Sequence, residues 1–208
     1  VTTRWKEAQA RESVAWQRME VAAPTYLERR AARIGAWLRF HGASSVLEIG
    51  GAGLPSGDFH AIDPLMRQFR LARGVAGRGE ALPYRDRTFD AVLMLNVIDH
   101  VEDPPRCLAE AARVLRPKGV LLLSCNVYAR TWLLLRSARV RLLGQRNNDI
   151  LHPHHFTARS LRALFARRFE ILEASLSHAD PLAGERPFRP RANPLKGEAR
   201  LYLVGRPC

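Results

Sequence analysis

Gly50, Gly51 and Gly53 crowd the end of a short apolar run, Val46-Leu47-Glu48-Ile49, and Asp63 closes the next such run, Phe59 to Ile62. An apolar run that stops in small residues is the pattern of a buried parallel strand emerging into a turn. Glycines there let a ligand lie against bare backbone. A carboxylate at the tip of the neighbouring strand can accept both protons of a ribose diol. Together these types and spacings point to a nucleoside cofactor. Two further stretches carry titratable groups: Asn96-Val97-Ile98-Asp99-His100, and His152-Pro153-His154-His155. Imidazole suits proton removal from a hydroxyl or amine nucleophile. His100 and Asp99 are the first candidates for that work, His154 and His155 the second; the plainer alternative makes these histidines packing or bracing residues. No cysteine or carboxylate stands at ligand spacing beside the three histidines, so no metal site is expected.

The glycines also narrow the cofactor. A dinucleotide fingerprint would need a third glycine where Ser56 stands, and no G-x-x-x-x-G-K-[ST] phosphate cradle occurs. The string Val46-Leu47-Glu48-Ile49-Gly50-Gly51-Ala52-Gly53 instead resembles the first motif of class I S-adenosylmethionine-dependent methyltransferases. Gly79-Glu80-Ala81-Leu82-Pro83-Tyr84, leading through Phe89-Asp90 into an apolar run, resembles that family's second block, beside the adenine. Asn96-Val97-Ile98-Asp99-His100-Val101-Glu102-Asp103-Pro104 is similar to the type-11 branch, and Leu115-Arg116-Pro117-Lys118-Gly119 before the apolar Val120 to Ser124 is similar to its ending. Four motifs thus fall in one order between Val46 and Asn126.

The resemblance implies a Rossmann-like doubly wound seven-stranded α/β sheet, with S-adenosylmethionine as cofactor and S-adenosylhomocysteine as product. Gly50, Gly51 and Gly53 would carry the methionine end, Asp63 the ribose, and Glu80, Ala81 and Leu82 the adenine side. Asn96 would lie close to the methyl group, and Glu48 and Pro64 complete the expected cofactor set. Two features depart from the family pattern. Residues 51–58 are too few for the usual crossover helix and contain Pro55 and Gly57, so an abbreviated first crossover is expected. Arg78 stands where many relatives have an acid that contacts the adenine amine, which leaves the adenine contact to Glu80 or to the backbone from Gly79 to Ala81.

The elements that must position these residues follow from periodicity. Residues 3–20 read as a helix with Trp5, Gln9, Glu12 and Trp16 on one face, either packed by its tryptophans or closing over the cofactor as a lid. Pro24 to Phe40 reads as a second helix. Residues 1–42 are therefore expected to form an N-terminal helical extension on a methyltransferase core of residues 43–208, with a substrate-cover insertion at about 127–156. Within the core, Pro64 to Arg73 reads as a short helix, Pro104 to Leu115 as an amphipathic helix, and Arg116 to Gly119 as a turn. Phe169 to Ser177 and Arg200 to Val204 read as the last strands, and Asp180 to Glu198 as an exposed loop. The 130–143 stretch is a basic amphipathic helix, expected chiefly to cover the cleft and alternatively to touch a membrane surface.

A chain of 208 residues with 47% apolar content is consistent with one domain and a real core. No span or signal peptide is visible and the cysteines show no ligand spacing, so a cytoplasmic setting is expected. The net charge of +13 is spread over scattered arginines without aromatic interleaving, which argues against nucleic acid and for an anionic acceptor or surface. The expected acceptor is a small-molecule or a lipid- or glycan-linked one. The rivals are a non-catalytic partner subunit of the same fold and an RNA or protein methyltransferase. Against the latter, Asn96-Val97-Ile98-Asp99 stands where many base and amide methylases have a proline-aromatic tetrad. Oligomeric state is not legible.

Overall fold

The computed structural model describes residues 2–19, 24–51, 59–65, 74–143, 152–177 and 198–208. Its elements are α1 (Thr3–Met19), α2 (Pro24–Phe40), β1 (Val46–Ile49), β2 (His60–Asp63), β3 (Gly74–Ala76), β4 (Phe89–Leu95), α3 (Pro104–Val114), β5 (Leu115–Val127), α4 (Arg130–Leu143), α5 (Ala158–Phe165), β6 (Phe169–Ser177) and β7 (Ala199–Pro207). The strands form one sheet in the order β3-β2-β1-β4-β5-β7-β6. The first five strands run parallel, and β7 enters antiparallel between β5 and β6. The order reverses between β1 and β4, and ligands of open α/β sheets bind beyond the strand ends at such a point.

Alternating side chains build a core on each face. Leu47, Ile49, Val92, Met94, Leu121 and Leu123 pack with Cys107, Leu108, Ala111 and Val114 of α3 and Leu161 and Phe165 of α5. Val46, Ala91, Leu93, Leu95, Val120 and Leu122 face the other way, against Ile34 and Leu38 of α2. Both faces of the central strands are covered, which is why those strands read as unbroken apolar runs. At their entry, the Ser44 and Ser45 backbone N–H groups and the Ser44 hydroxyl donate to Asp90 Oδ2 and align β1 with β4.

One expected turn is absent. Residues 116–119 lie within β5, because Leu115 pairs with Phe89 while Val120 pairs with Ala91. The extra residues are accommodated as an irregularity in the ladder, so the Pro-Lys-Gly string bulges rather than ending the strand. β7 is longer than expected and extends to Pro207. The abbreviated crossover joins strands that do pair in parallel, but residues 52–58, the helix expected to Arg73 and the loop expected to Glu198 lie wholly or largely outside the described residues.

Thr157 opens α5 with a capping box: its hydroxyl accepts from the Ser160 N–H at 3.0 Å, and Ser160 Oγ accepts from the Thr157 N–H at 2.9 Å. Thr157→Ala is expected to lower stability by about 1 kcal/mol, measurable by denaturant unfolding.

Candidate functional site

Beyond the carboxyl ends of β1, β2 and β4 lies a small pocket. Gly50, Ile62, Asp63, Pro64, Gly79, Glu80, Val97 and His100 line it from the sheet side, and Trp5, Gln9 and Glu12 of α1 line it from above. Gly50 turns the chain out of β1 at φ 75° while its N–H donates to the Ile62 carbonyl at 2.8 Å. A Cβ at this position would stand 2.4 Å from Val97 Cγ2, so only glycine lets the β1 turn and the β4 tip approach this closely. Glu48 is buried beneath the turn, its Oε2 3.0 Å from where a Gly51 side chain would begin. Gly53 lies outside the described residues.

Asp63 ends β2 facing the pocket. Burial raises its pKa to about 6, only partly opposed by the Leu65 N–H that its Oδ1 accepts at 2.6 Å; Glu12 adds to the rise and His100 lowers it. A half-buried carboxylate held this far above its ordinary range lacks donors, and a ribose diol would supply two. The bare backbone at Gly50 and this acceptor at Asp63 therefore fit the chemistry of a nucleoside. The present room does not: the pocket holds about 30 Å³ of free volume, against roughly 300–1,000 Å³ for small-ligand sites. The side chains of α1 take up the space.

Arg78 explains how α1 is held. Its guanidinium donates to Glu80 Oε1 at 3.2 Å and to Glu102 Oε2 at 2.7 Å. Its Cζ lies 4.7 Å from the centre of the Trp5 ring. The Thr2 N–H adds a 2.6 Å bond to Glu102 Oε1. Glu80 Oε1 also accepts the N–H groups of Glu102 and Asp103, at 2.7 and 3.3 Å. The residue that departs from the family pattern thus ties the N-terminal helix to the pocket wall.

Residues 58–123 match a family described as a methyltransferase domain, type 11. An uncharacterized methyltransferase of Mycolicibacterium gilvum is 39% identical over 72 residues, 35% of this chain and 28% of that protein. A demethylmenaquinone methyltransferase of Renibacterium salmoninarum is 40% identical over 50 residues, 24% of this chain and 21% of that protein. The matched stretch is thus well under half of either relative. The solved structure of an S-adenosylmethionine-dependent methyltransferase from Thermotoga maritima superposes with a TM-score of 0.53 at 20% identity, covering 87% of this chain and 98% of that one. The family match includes the Asp63, Glu80 and His100 walls of the pocket but neither the Gly50 turn nor α1. Over residues 58–123 the chain is similar to type-11 methyltransferases, and its sheet has the class I methyltransferase fold.

Within this methyltransferase fold the remaining expected residues separate into those at the pocket and those away from it. Asn96 sits at the β4 tip with φ 57°, a conformation asparagine tolerates, and its N–H donates to the Ser124 carbonyl at 2.8 Å. Val97, which the sequence reading did not single out, lines the pocket in its stead. Leu82 is a core residue whose N–H donates to Glu110 Oε2 at 2.8 Å. Ala81 is exposed on a separate, open hollow of about 630 Å³.

His100 faces the pocket with its Nδ1 3.5 Å from Glu12 Oε1. Asp99 is buried behind it, with Oδ1 3.9 Å from His100 Nε2. Of the histidine cluster, it is His152 that packs on His100, with ring centroids 4.6 Å apart. His154 reaches the outer hollow and His155 packs against Tyr128 and Trp132. His154 and His155, the expected second-choice bases, are thus not the histidine that packs on His100. The signal for His152 lies in the fold, where Phe156 bridges to Val127 and the His154 N–H donates to the Asp99 carbonyl.

Proposed function

We propose that this chain is an S-adenosylmethionine-dependent methyltransferase acting on a small-molecule or lipid- or glycan-linked acceptor. The observation that supports the reading best is Asp63, a donor-poor carboxylate at the β2 tip in one pocket with the Gly50 turn. The cofactor, when bound, supplies an electrophilic methyl carbon on a sulfonium whose leaving group is the neutral thioether of S-adenosylhomocysteine. The chain's own task is placement. Gly50 and Gly51 offer backbone to the methionine end and Asp63 accepts from the ribose. Holding acceptor and methyl in line can by itself lower the barrier by roughly 7–11 kcal/mol. The acceptor side falls to Asp99, His100 and His152, at the end of β4.

Helix α1 serves in this reading as a lid over the cofactor, and α4 as acceptor cover. Leu134, Leu135 and Leu142 of α4 are exposed among its arginines, which suits an acceptor with an apolar, anionic portion. Among the described residues no helix is long and apolar enough to cross a membrane. The filled pocket favours a second reading, a partner subunit that no longer binds cofactor. Calorimetric titration with S-adenosylhomocysteine separates the two. Micromolar binding to the wild type, lost in Asp63→Ala, is the expected result; no binding to folded wild-type protein would leave the partner-subunit reading in place.

A further inference from the structure

Asp99, His100 and His152 each offer one ligand atom, and these atoms lie within 4.8 Å of one another. They come from the β4 tip and from a segment distant in sequence, so the fold and not local spacing assembles them. Asp99 carries the decisive oddity. Its side chain is 6% exposed, and its Oδ1 has no hydrogen-bond partner among the described residues, although the Cys125 thiol bonds the carboxylate. A buried carboxylate oxygen without a donor is costly, and a fixed cation removes that cost. His100 Nε2 lies 3.9 Å from this same oxygen. Its other nitrogen, Nδ1, faces Glu12 Oε1 at 3.5 Å, longer than the hydrogen bond by which an outer carboxylate orients a ligating imidazole but on the side from which one would act.

We propose that Asp99, His100 and His152 form a binding site for a divalent transition-metal ion of the zinc class. Two imidazoles and one carboxylate make a mixed nitrogen and oxygen donor set that suits zinc, and three protein ligands leave a coordination position open. Donors around a tetrahedral ion at about 2.1 Å stand about 3.4 Å apart. The three ligand atoms now lie within 4.8 Å of one another, so binding would draw them together by up to about 1.4 Å.

The ion would sit beside the pocket that His100 lines, on the acceptor side. This consequence rests on the methyl-transfer reading; the site itself does not. An acceptor hydroxyl taking the open position loses its proton to water more easily, because the ion stabilises the oxyanion. Its oxygen then forms the new carbon–oxygen bond while the methyl–sulfur bond breaks, leaving the electron pair on sulfur. The acceptor class is therefore an alcohol, phenol or enol, and His100 acts as ligand rather than as base.

The test is calorimetric titration of the chelator-stripped full chain with Zn²⁺, without cofactor, together with the visible spectrum of the Co²⁺ form. The expected result is about one equivalent bound, weakened at least about tenfold in Asp99→Asn and in His152→Ala and retained in His155→Ala. His152 is partly exposed, so its variant decides the matter even where Asp99→Asn fails to fold. No bound zinc, or binding unchanged in His152→Ala, overturns the proposal. Because the readout contains no cofactor, a failure of S-adenosylhomocysteine binding leaves this result standing, and the converse also holds.

Discussion

Asp63→Asn is expected to make the cofactor-free protein more stable at about pH 7.5 while weakening its binding of S-adenosylhomocysteine. Folding raises this carboxyl from an ordinary 3.8 to about 6, through burial first. A raised acid favours folding while protonated, so its contribution is fully present below about pH 4 and is lost as pH rises through about 6. At neutral pH the charge is therefore a cost. Full burial would make that cost roughly 3 kcal/mol; the partial exposure of Asp63 brings the expected gain from the amide down to about 1–2 kcal/mol. A rise in Tm of about 2–6 °C at neutral pH, disappearing near pH 4, is the signature. Binding should run the opposite way. The ribose hydroxyls need the ionised form, so wild-type affinity should be flat above about pH 6 and fall below it, up to about tenfold per unit. If affinity in the Asp63→Asn variant kept the same pH dependence as in the wild type, Asp63 would be removed from the cofactor site.

The parts of this site that are legible in the sequence are the local ones. The glycine turn, the strand-end acid and the β4 tip are short strings, each fixed by what a strand end can tolerate, and the doubly wound seven-stranded sheet that their resemblance implies is the one observed. Phe169 to Ser177 was legible for the same reason, as a bounded run with strand-forming residues. What escaped was long-range. Arg78 looked like a damaged adenine contact, whereas its charge is engaged by Glu80, Glu102 and the Trp5 ring. Successive residues of a non-helical segment point in different directions, so nothing in His152-Pro153-His154-His155 says which imidazole meets Asp99. Glu12 reaches His100 only because α1 lies across the pocket. The bulge at residues 116–119 needed the pairing of Leu115 with Phe89, a contact no local rule supplies.

Cofactor entry should be gated by α1, and Trp5→Ala should release the gate. The helix places Trp5, Gln9 and Glu12 in a pocket with about 30 Å³ to spare, so a nucleoside can enter only after α1 shifts. Mixing wild-type protein with rising S-adenosylhomocysteine is therefore expected to give a binding rate that levels off at the opening rate of α1. The contacts that resist opening include Arg78 against Trp5, the Thr2 N–H on Glu102, and Glu12 near His100. A cation–π contact of this kind is worth about 1–2 kcal/mol, and apparent affinity scales with the fraction of open molecules. Removing the indole should raise that fraction, and with it the affinity, by about tenfold, and should lift the plateau by a similar factor. Arg78→Ala should act in the same direction, because it removes the other partner of the same contact. The alternative is that α1 belongs to the bound site and Trp5 packs on the cofactor. In that case both variants weaken binding, and the wild-type rate climbs linearly with concentration. The two arrangements differ in sign, so one stopped-flow series on three proteins decides between a helix that shuts the pocket and one that completes it.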